Sequence, residues 1–466
     1  MSANASLTLL PATEQLQLLR QYKISAPELA EAHIAQIERL NPHLNALVDF
    51  DPTRVREQAR YRPAGPLSGL PVTVKSSISV AGYRCEIGST LNRGFIPDKN
   101  AVVVDRLLAA GAVILGTTNC PEFLMAYETE NLLYGGTRNP WNLERTAGGS
   151  SGGEAAAIAA GLSAAGLGSD SGGSVRQPAH YTGICAFKPT HGRIPAAGHL
   201  PPCLGPFAFL GSIGPMARTV ADLSLLFAIL SGQDPFDPNS APIPYRPVTR
   251  DQAKQVPIGY FEDDSLVPVT AETRAAVQQA ARALQRQGFR VQPFRPASLE
   301  PARKLWWLFF VQCGAMLDAP AIRGHESELS PTFRDFLAIA QAEAELTPDA
   351  TLEAWVSADK LRARLLHELR DFPLLLCPVC SLPAFRPGER SWTIDGQPVA
   401  YLDAMRHTQW FNFLGSPAAV VPVSQSAEGL PIGVQIAGRP YGDELVLEVA
   451  AALESDFGYR PPPIAL

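Results

Sequence analysis

Two glycine–serine runs set close together constrain this chain more than any other feature. Gly148-Gly149-Ser150-Ser151-Gly152-Gly153 and Asp170-Ser171-Gly172-Gly173-Ser174 flank a segment of alanine, glycine and leucine with little side-chain chemistry. Glycine adopts backbone conformations closed to other residues and lets the main chain approach a bound group. Successive N–H groups in such a nest converge on an anion or an oxyanion. The stretch 145–193 therefore reads as a nucleophile with its oxyanion hole. The segment between the runs reads as a buried helix and short strand that fix their separation. The rest of the chain must supply a base and a substrate pocket.

The chain has 466 residues, enough to bury a large core, and 46% of them are hydrophobic against 18% charged. That balance excludes a disordered chain. With 39 basic and 45 acidic residues the net charge is −6, which favours neither nucleic acid nor an anionic membrane as a direct partner. Seven scattered cysteines read as reduced, buried thiols. Cys377 and Cys380 form a lone C-x-x-C with no second ligand pair, so neither a metal nor a cofactor is expected. The N-terminus lacks the basic start and apolar run of a signal peptide. No apolar run reaches the ~18 residues that span a bilayer. Both point to a cytoplasmic protein.

Local patterns alternate helix and strand. Ser25 and Glu28 have capping-box spacing at the head of a helix over 25–40, on which Leu29, His33, Ile37 and Leu40 form the apolar side. Residues 66–80 read as a strand carrying Lys75, either a solvent-facing lysine or a desolvated amine able to act as a base. Residues 101–116 and 271–294 each read as helix, glycine stop and strand, with Gly111 and Gly288 as the stops. Residues 430–454 read as strand then helix, 215–232 as a helix, and 233–260 as a loop. This alternation predicts an α/β fold: a single large domain with a central mixed, twisted sheet covered by helices on both faces. Its expected parts are an N-terminal helical region (1–65), a core with the site residues (66–235), a variable substrate-side segment (236–370) and a C-terminal return to the sheet (371–466). The aromatic cluster Trp306, Trp307, Phe309 and Phe310 reads as core, part of it open to a substrate funnel.

A serine nucleophile needs a base within reach. Three readings of the nests compete. Gly-Gly-Ser-Ser-Gly at 148–152 fits the G-x-S-x-G nucleophile elbow, but the buried strand that motif requires does not precede it. A phosphate cradle lacks both the G-K-[ST] and the strand–G-x-G-x-x-G–helix context. In the third reading the nests cooperate, one serine attacking and the other relaying a proton from a lysine. Asp170 and Arg176 then hold the second nest by ion pairing.

The residues GGSSGGEAAAIAAG, GSDSGGSVRQPA and FKPTHGR resemble the signature of the amidase signature enzymes. GLPVTVKSSISVAG at 69–82, AAGAVILGTTNCPEF at 109–123, YGGTRNPWN at 134–142, GPMARTVADLSLL at 214–226 and GLPIGVQIAGRPYGDE at 429–444 resemble further segments of that family, in its order. The likeness covers most of 20–235 and 370–455 and is loose over 240–360. It implies a Ser–cis-Ser–Lys triad with Ser174 as nucleophile, Ser150 as bridging serine and Lys75 as base. It places the oxyanion hole on Ser171, Gly172 and Gly173 with the Ser174 N–H. Ser151, Ser169, Asp170 and Arg176 form the supporting network, and Met125 and Gly149 are substrate-binding positions. Ser76 departs from the aspartate that often follows the lysine. Ser171 stands where threonine is commoner.

The resemblance implies hydrolysis of a linear amide through an acyl-enzyme, without a cofactor. The leading expectation is a stand-alone amidase acting on a small, apolar carboxamide. The alternative is the glutaminase component of a tRNA-dependent amidotransferase, which works with a second protein as its partner. A catalytically dead relative is the third reading. A homodimer is compatible with the sequence. Selectivity is expected in about 195–212 and 300–410, where His199, Phe207, Phe209, Trp306, Trp307 and Trp410 are the candidate pocket residues.

Overall fold

The strand Pro71–Lys75 shows how the molecule is layered, because all five of its side chains are buried. Alternate strand residues point to opposite faces, so a fully buried strand must be covered on both. The computed structural model describes residues 7–61 and 63–463; the first six residues, on which part of the leader reading rests, lie outside them. Among the described residues the main sheet runs in the order 47–50, 113–118, 71–75, 165–170, 212–217, 185–188, 418–425, 431–438, 374–378, 258–260, 291–293. It is mixed. Pro71–Lys75 is parallel to both its neighbours, whereas Ala165–Asp170 is antiparallel to Ser212–Ala217.

Strand Val113–Thr118 separates two cores. Ile114 packs into the cluster built with helices Val102–Ala109, Val220–Leu230, Ala271–Arg286 and Asp443–Phe457. Val113 and Leu115 face the other cluster, with helices Ala26–Leu44, Pro52–Arg60 and Gly152–Ala159. Burying an aliphatic side chain contributes about 1.5–3 kcal/mol, so this alternation fixes the strand's register. Helix Ala26–Leu44 carries the expected capping box between Ser25 and Glu28 and ends at Asn45 in the left-handed conformation. His33 is a satisfied core histidine, bonded to the Leu162 carbonyl at 3.1 Å and to Gln15 at 3.3 Å. Gly111 and Gly288 end their helices at φ +92° and +90°.

Several expected elements change. The strand expected over 66–80 contracts to Pro71–Lys75, because the chain turns at once, with the Ile78 N–H donating to the Lys75 carbonyl at 2.9 Å. Pro215–Ala217 belong to strand Ser212–Ala217, and the helix that follows starts at Val220 with Thr219 as its cap. The expected loop 233–260 holds helix Arg250–Lys254, which carries its own Thr249–Gln252 capping box, and strand Ile258–Tyr260. Leu299–Ile322 is one continuous 24-residue helical stretch, long and apolar enough by length and composition to cross a membrane. A search for uninterrupted apolar residues misses it because Gln312 and Asp318 break the run. Its inner side carries the buried Trp306, Phe309 and Val311. Cys377 and Cys380 are free and buried.

Candidate active site

Lys75 ends its strand fully buried, which rejects the solvent-facing reading. Its ammonium donates to Ser150 Oγ at 2.7 Å and to Ser169 Oγ at 3.1 Å. Burial lowers its pKa to about 8, opposed by Cys120, Asp170 and Glu154 nearby. A lysine near that value supplies free amine at neutral pH, unlike an ordinary one. Glu154 lies on helix Gly152–Ala159 and accepts the hydroxyls of Thr73 and, at 2.9 Å, Thr118. Burial pushes Glu154 up to about 8. Ser76, in place of an aspartate, meets Cys120 Sγ at 3.3 Å.

The first nest delivers Ser150 to the lysine. The Gly149–Ser150 peptide is cis, and Gly148 sits at φ +86°. A side chain at Gly148 would meet the Pro178 backbone at 2.7 Å, so only glycine fits. Ser151 bonds to the main chain of the second nest and the strand before it. Its N–H donates to the Ser174 carbonyl at 3.1 Å, and its hydroxyl joins the Ser169 main chain at 3.3–3.4 Å. The second serine of the run therefore ties the two nests together.

The second nest is held by a buried ion pair. Arg176 grips Asp170 with Nε–Oδ2 at 3.0 Å and Nη2–Oδ1 at 2.9 Å, and both side chains are 0% exposed. Burial alone would raise the Asp170 carboxyl, but the Arg176 guanidinium holds it well below the usual carboxylate range. Asp170 also accepts the Gly173 N–H at 2.8 Å and the Val175 N–H at 3.2 Å. Within the expected oxyanion hole the Gly173 N–H is already engaged, whereas those of Gly172 and Ser174 donate to no protein acceptor among the described residues. Gly173 at φ +129° sits where a side chain would collide with Thr408.

Ser150, Ser169, Ser171 and Ser174 line one cavity of about 410 Å³, walled by Phe123, Leu124, Met125, His199, Pro201, Cys203, Phe207 and Phe310. Among the described residues no charged one lines it, since burial keeps His199 neutral with a pKa of about 4. The Ser174 and Ser150 hydroxyls both face this space without a hydrogen bond between them. A second cavity of about 380 Å³ also reaches Ser174, with Gly172, Tyr127, Trp306 and Phe336 in its wall. It shares Met125, Phe336 and Leu402 with an outer cavity of about 1060 Å³. Met125 thus stands at all three. Gly149 lines none of them. A side chain there would meet the Ala126 and Glu128 backbone at 2.6 Å, so its role is close packing.

This buried lysine, its two serines and the nest beside them sit inside the span of a family model described as Amidase, which matches residues 28–447. The chain belongs to the Amidase family. It is a hydrolase acting on carbon–nitrogen bonds. An indoleacetamide hydrolase of Bradyrhizobium diazoefficiens is 33% identical over 463 residues, covering 96% of this chain and 86% of that one. A component of the glutamyl-tRNA(Gln) amidotransferase of Roseiflexus castenholzii is 35% identical over 484 residues, covering 96% of each. The solved structure of a 6-aminohexanoate cyclic dimer hydrolase with substrate superposes with a TM-score of 0.87 at 29% identity, covering 98% of this chain and 99% of that one.

In this amidase the candidate pocket residues separate. His199 and Phe207 line the inner cavity, Trp306 the second and Trp307 the outer. Phe209 and Trp410 pack into a core instead. Tyr127, Thr408 and Asn412 join the site without any motif that points to them. Asn412 donates to the Asp170 side chain at 3.0 Å, and Tyr127 and Thr408 donate to the Gly172 carbonyl at 3.1 and 2.5 Å. Nothing local marks them, because their partners lie 45–242 residues away.

Proposed function

We propose that this amidase cleaves an apolar carboxamide through a Ser174 acyl-enzyme, with Lys75 as base and Ser150 as proton bridge. The observation that carries this reading is the 2.7 Å hydrogen bond from the buried Lys75 to Ser150, beside a cavity that Ser174 also faces. Neutral Lys75 accepts the Ser150 proton, and Ser150 takes the Ser174 proton as Oγ bonds to the amide carbon. The N–H groups of Gly172 and Ser174 receive the developing oxyanion, each worth roughly 3 kcal/mol in the transition state. The C–N bond then breaks, and the amine leaves with a proton returned along the same relay. Water enters by the same route and frees the acid.

The uncharged lining of the inner cavity favours an alkyl or aryl acyl group over glutamine, whose ammonium and carboxylate would lose hydration without partners. The second reading, a glutaminase that works with a partner protein, draws on the likeness to the amidotransferase component. Acid or ammonia release from a panel of aryl, alkyl and glutamine amides tests both, with Ser174→Ala as blank. Turnover confined to glutamine, or dependent on an added partner, would favour the second. A Ser174→Ala chain with wild-type turnover would remove the first.

A further inference from the structure

Among the described residues, one side chain fixes the orientation of the peptide joining Ser171 to Gly172, and it comes from far along the chain. The indole N–H of Trp306 donates to the Ser171 carbonyl at 2.8 Å. A trans peptide is planar, with its C=O and N–H pointing in opposite directions. Holding that carbonyl therefore turns the Gly172 N–H the other way, and this N–H donates to no protein group among the described residues. The next peptide is held at both ends. Its carbonyl, on Gly172, accepts from Thr408 at 2.5 Å and Tyr127 at 3.1 Å, while the Gly173 N–H goes to Asp170 at 2.8 Å. Trp306 is itself buried and stacked on Phe310, centroids 4.7 Å apart at 12°. A methyl on Gly172 would touch its ring at 2.6 Å, so indole and nest are in close contact.

We propose that Trp306 is a positioning residue for the oxyanion donors: its indole N–H holds the Ser171 carbonyl and thereby turns the Gly172 N–H toward the oxygen of the carbonyl that Ser174 attacks. This rests on Ser174 being the nucleophile. It gives the helix Leu299–Trp307, in the segment least like the family pattern, a part in transition-state stabilisation as well as in shaping the second cavity.

The test uses the full chain and an alkyl fluorophosphonate. Ser174 Oγ bonds to phosphorus, fluoride leaves, and the serine proton passes to the relay, so the rate reads the oxyanion donors without a known substrate. Losing one such donor outright costs about 100-fold or more, and a donor left free to tilt should lose about 10-fold. Trp306→Phe, which keeps a ring but no N–H, is expected to label about 10-fold more slowly, a loss taken from the donors of the oxyanion hole. The reagent concentration at half-saturation should stay unchanged. Replacing Trp306 by benzothienylalanine, which keeps the tryptophan shape with sulfur in place of the N–H, should slow labelling by the same factor and serves if Trp306→Phe melts. Wild-type rates in either Trp306 variant overturn the clamp while Ser174 stands. A wild-type chain that does not label at Ser174 overturns both readings.

Discussion

From Gly148 to Ser174 every residue is buried except Ser171 and Ser174, which are half-buried and face the inner cavity. From Leu299 to Ala342 burial alternates, and Met316 and Leu317 stand in solvent. The first region is a helix and a strand of small residues, locked both by local bonds such as Asp170 to Gly173 and by distant ones such as Asn412 to Asp170. The second is a set of helices that reach the site only through tertiary packing. Chemistry that depends on sub-ångström placement sits in the first, where close packing suppresses motion. The second supplies much of the outer cavity's wall, through Trp307, Thr332, Asp335, Phe336, Ala338 and Ile339, but only Phe310 to the inner one.

The sharpest way to break this contrast is at the proposed nucleophile. Ser174→Ala should lower amide turnover by about 10⁴-fold or more while leaving the denaturation midpoint in place. An unchanged kcat would remove the distinction between the regions. The next effect falls on stability. Arg176→Met leaves the Asp170 carboxylate buried and unpaired, and should cost about 3–5 kcal/mol in chemical denaturation. A cost near zero would mean that the nest does not depend on this pair.

Met125, which lines all three cavities beside residues of the second region, should answer in selectivity. Met125→Trp narrows the passage between the inner and outer cavities. It should lower kcat/KM for amides with a long apolar arm by about 10-fold, the scale of a changed apolar pocket, and spare short ones. Equal losses for both would place the substrate wholly in the inner cavity. The smallest effect belongs to neither region. Ser25→Ala removes the capping box of the outlying helix Ala26–Leu44 and should cost about 1 kcal/mol with kcat untouched.

The same contrast explains what the sequence can reveal. Glycines at 148 and 173, the serines and Lys75 announce themselves, because a positive φ or a relay tolerates few residue types. The helix–glycine–strand units are legible for the same reason at Gly111 and Gly288. The Gly173 N–H goes to Asp170, three residues earlier, a choice of partner that spacing does not encode. Trp306, Tyr127 and Thr408 are invisible as nest partners, since each reaches it across a long stretch of chain. The helix Val220–Leu230 looks longer in the sequence, reaching back into Pro215–Ala217, because an apolar strand and an apolar helix start look alike until the sheet pairing is known.

The central claim is that a buried, neutral Lys75 activates Ser174. Its most direct test is the pH dependence of fluorophosphonate labelling at Ser174, read by intact mass and peptide mapping. Burial lowers the Lys75 pKa to about 8, so the amine loses its proton, and becomes a base, as pH rises through that value. Labelling should climb through one ionisation near about 8 and level off above it, and Lys75→Ala should abolish that step. A rate flat in pH, a step that persists in Lys75→Ala, or an adduct on another residue would contradict the account.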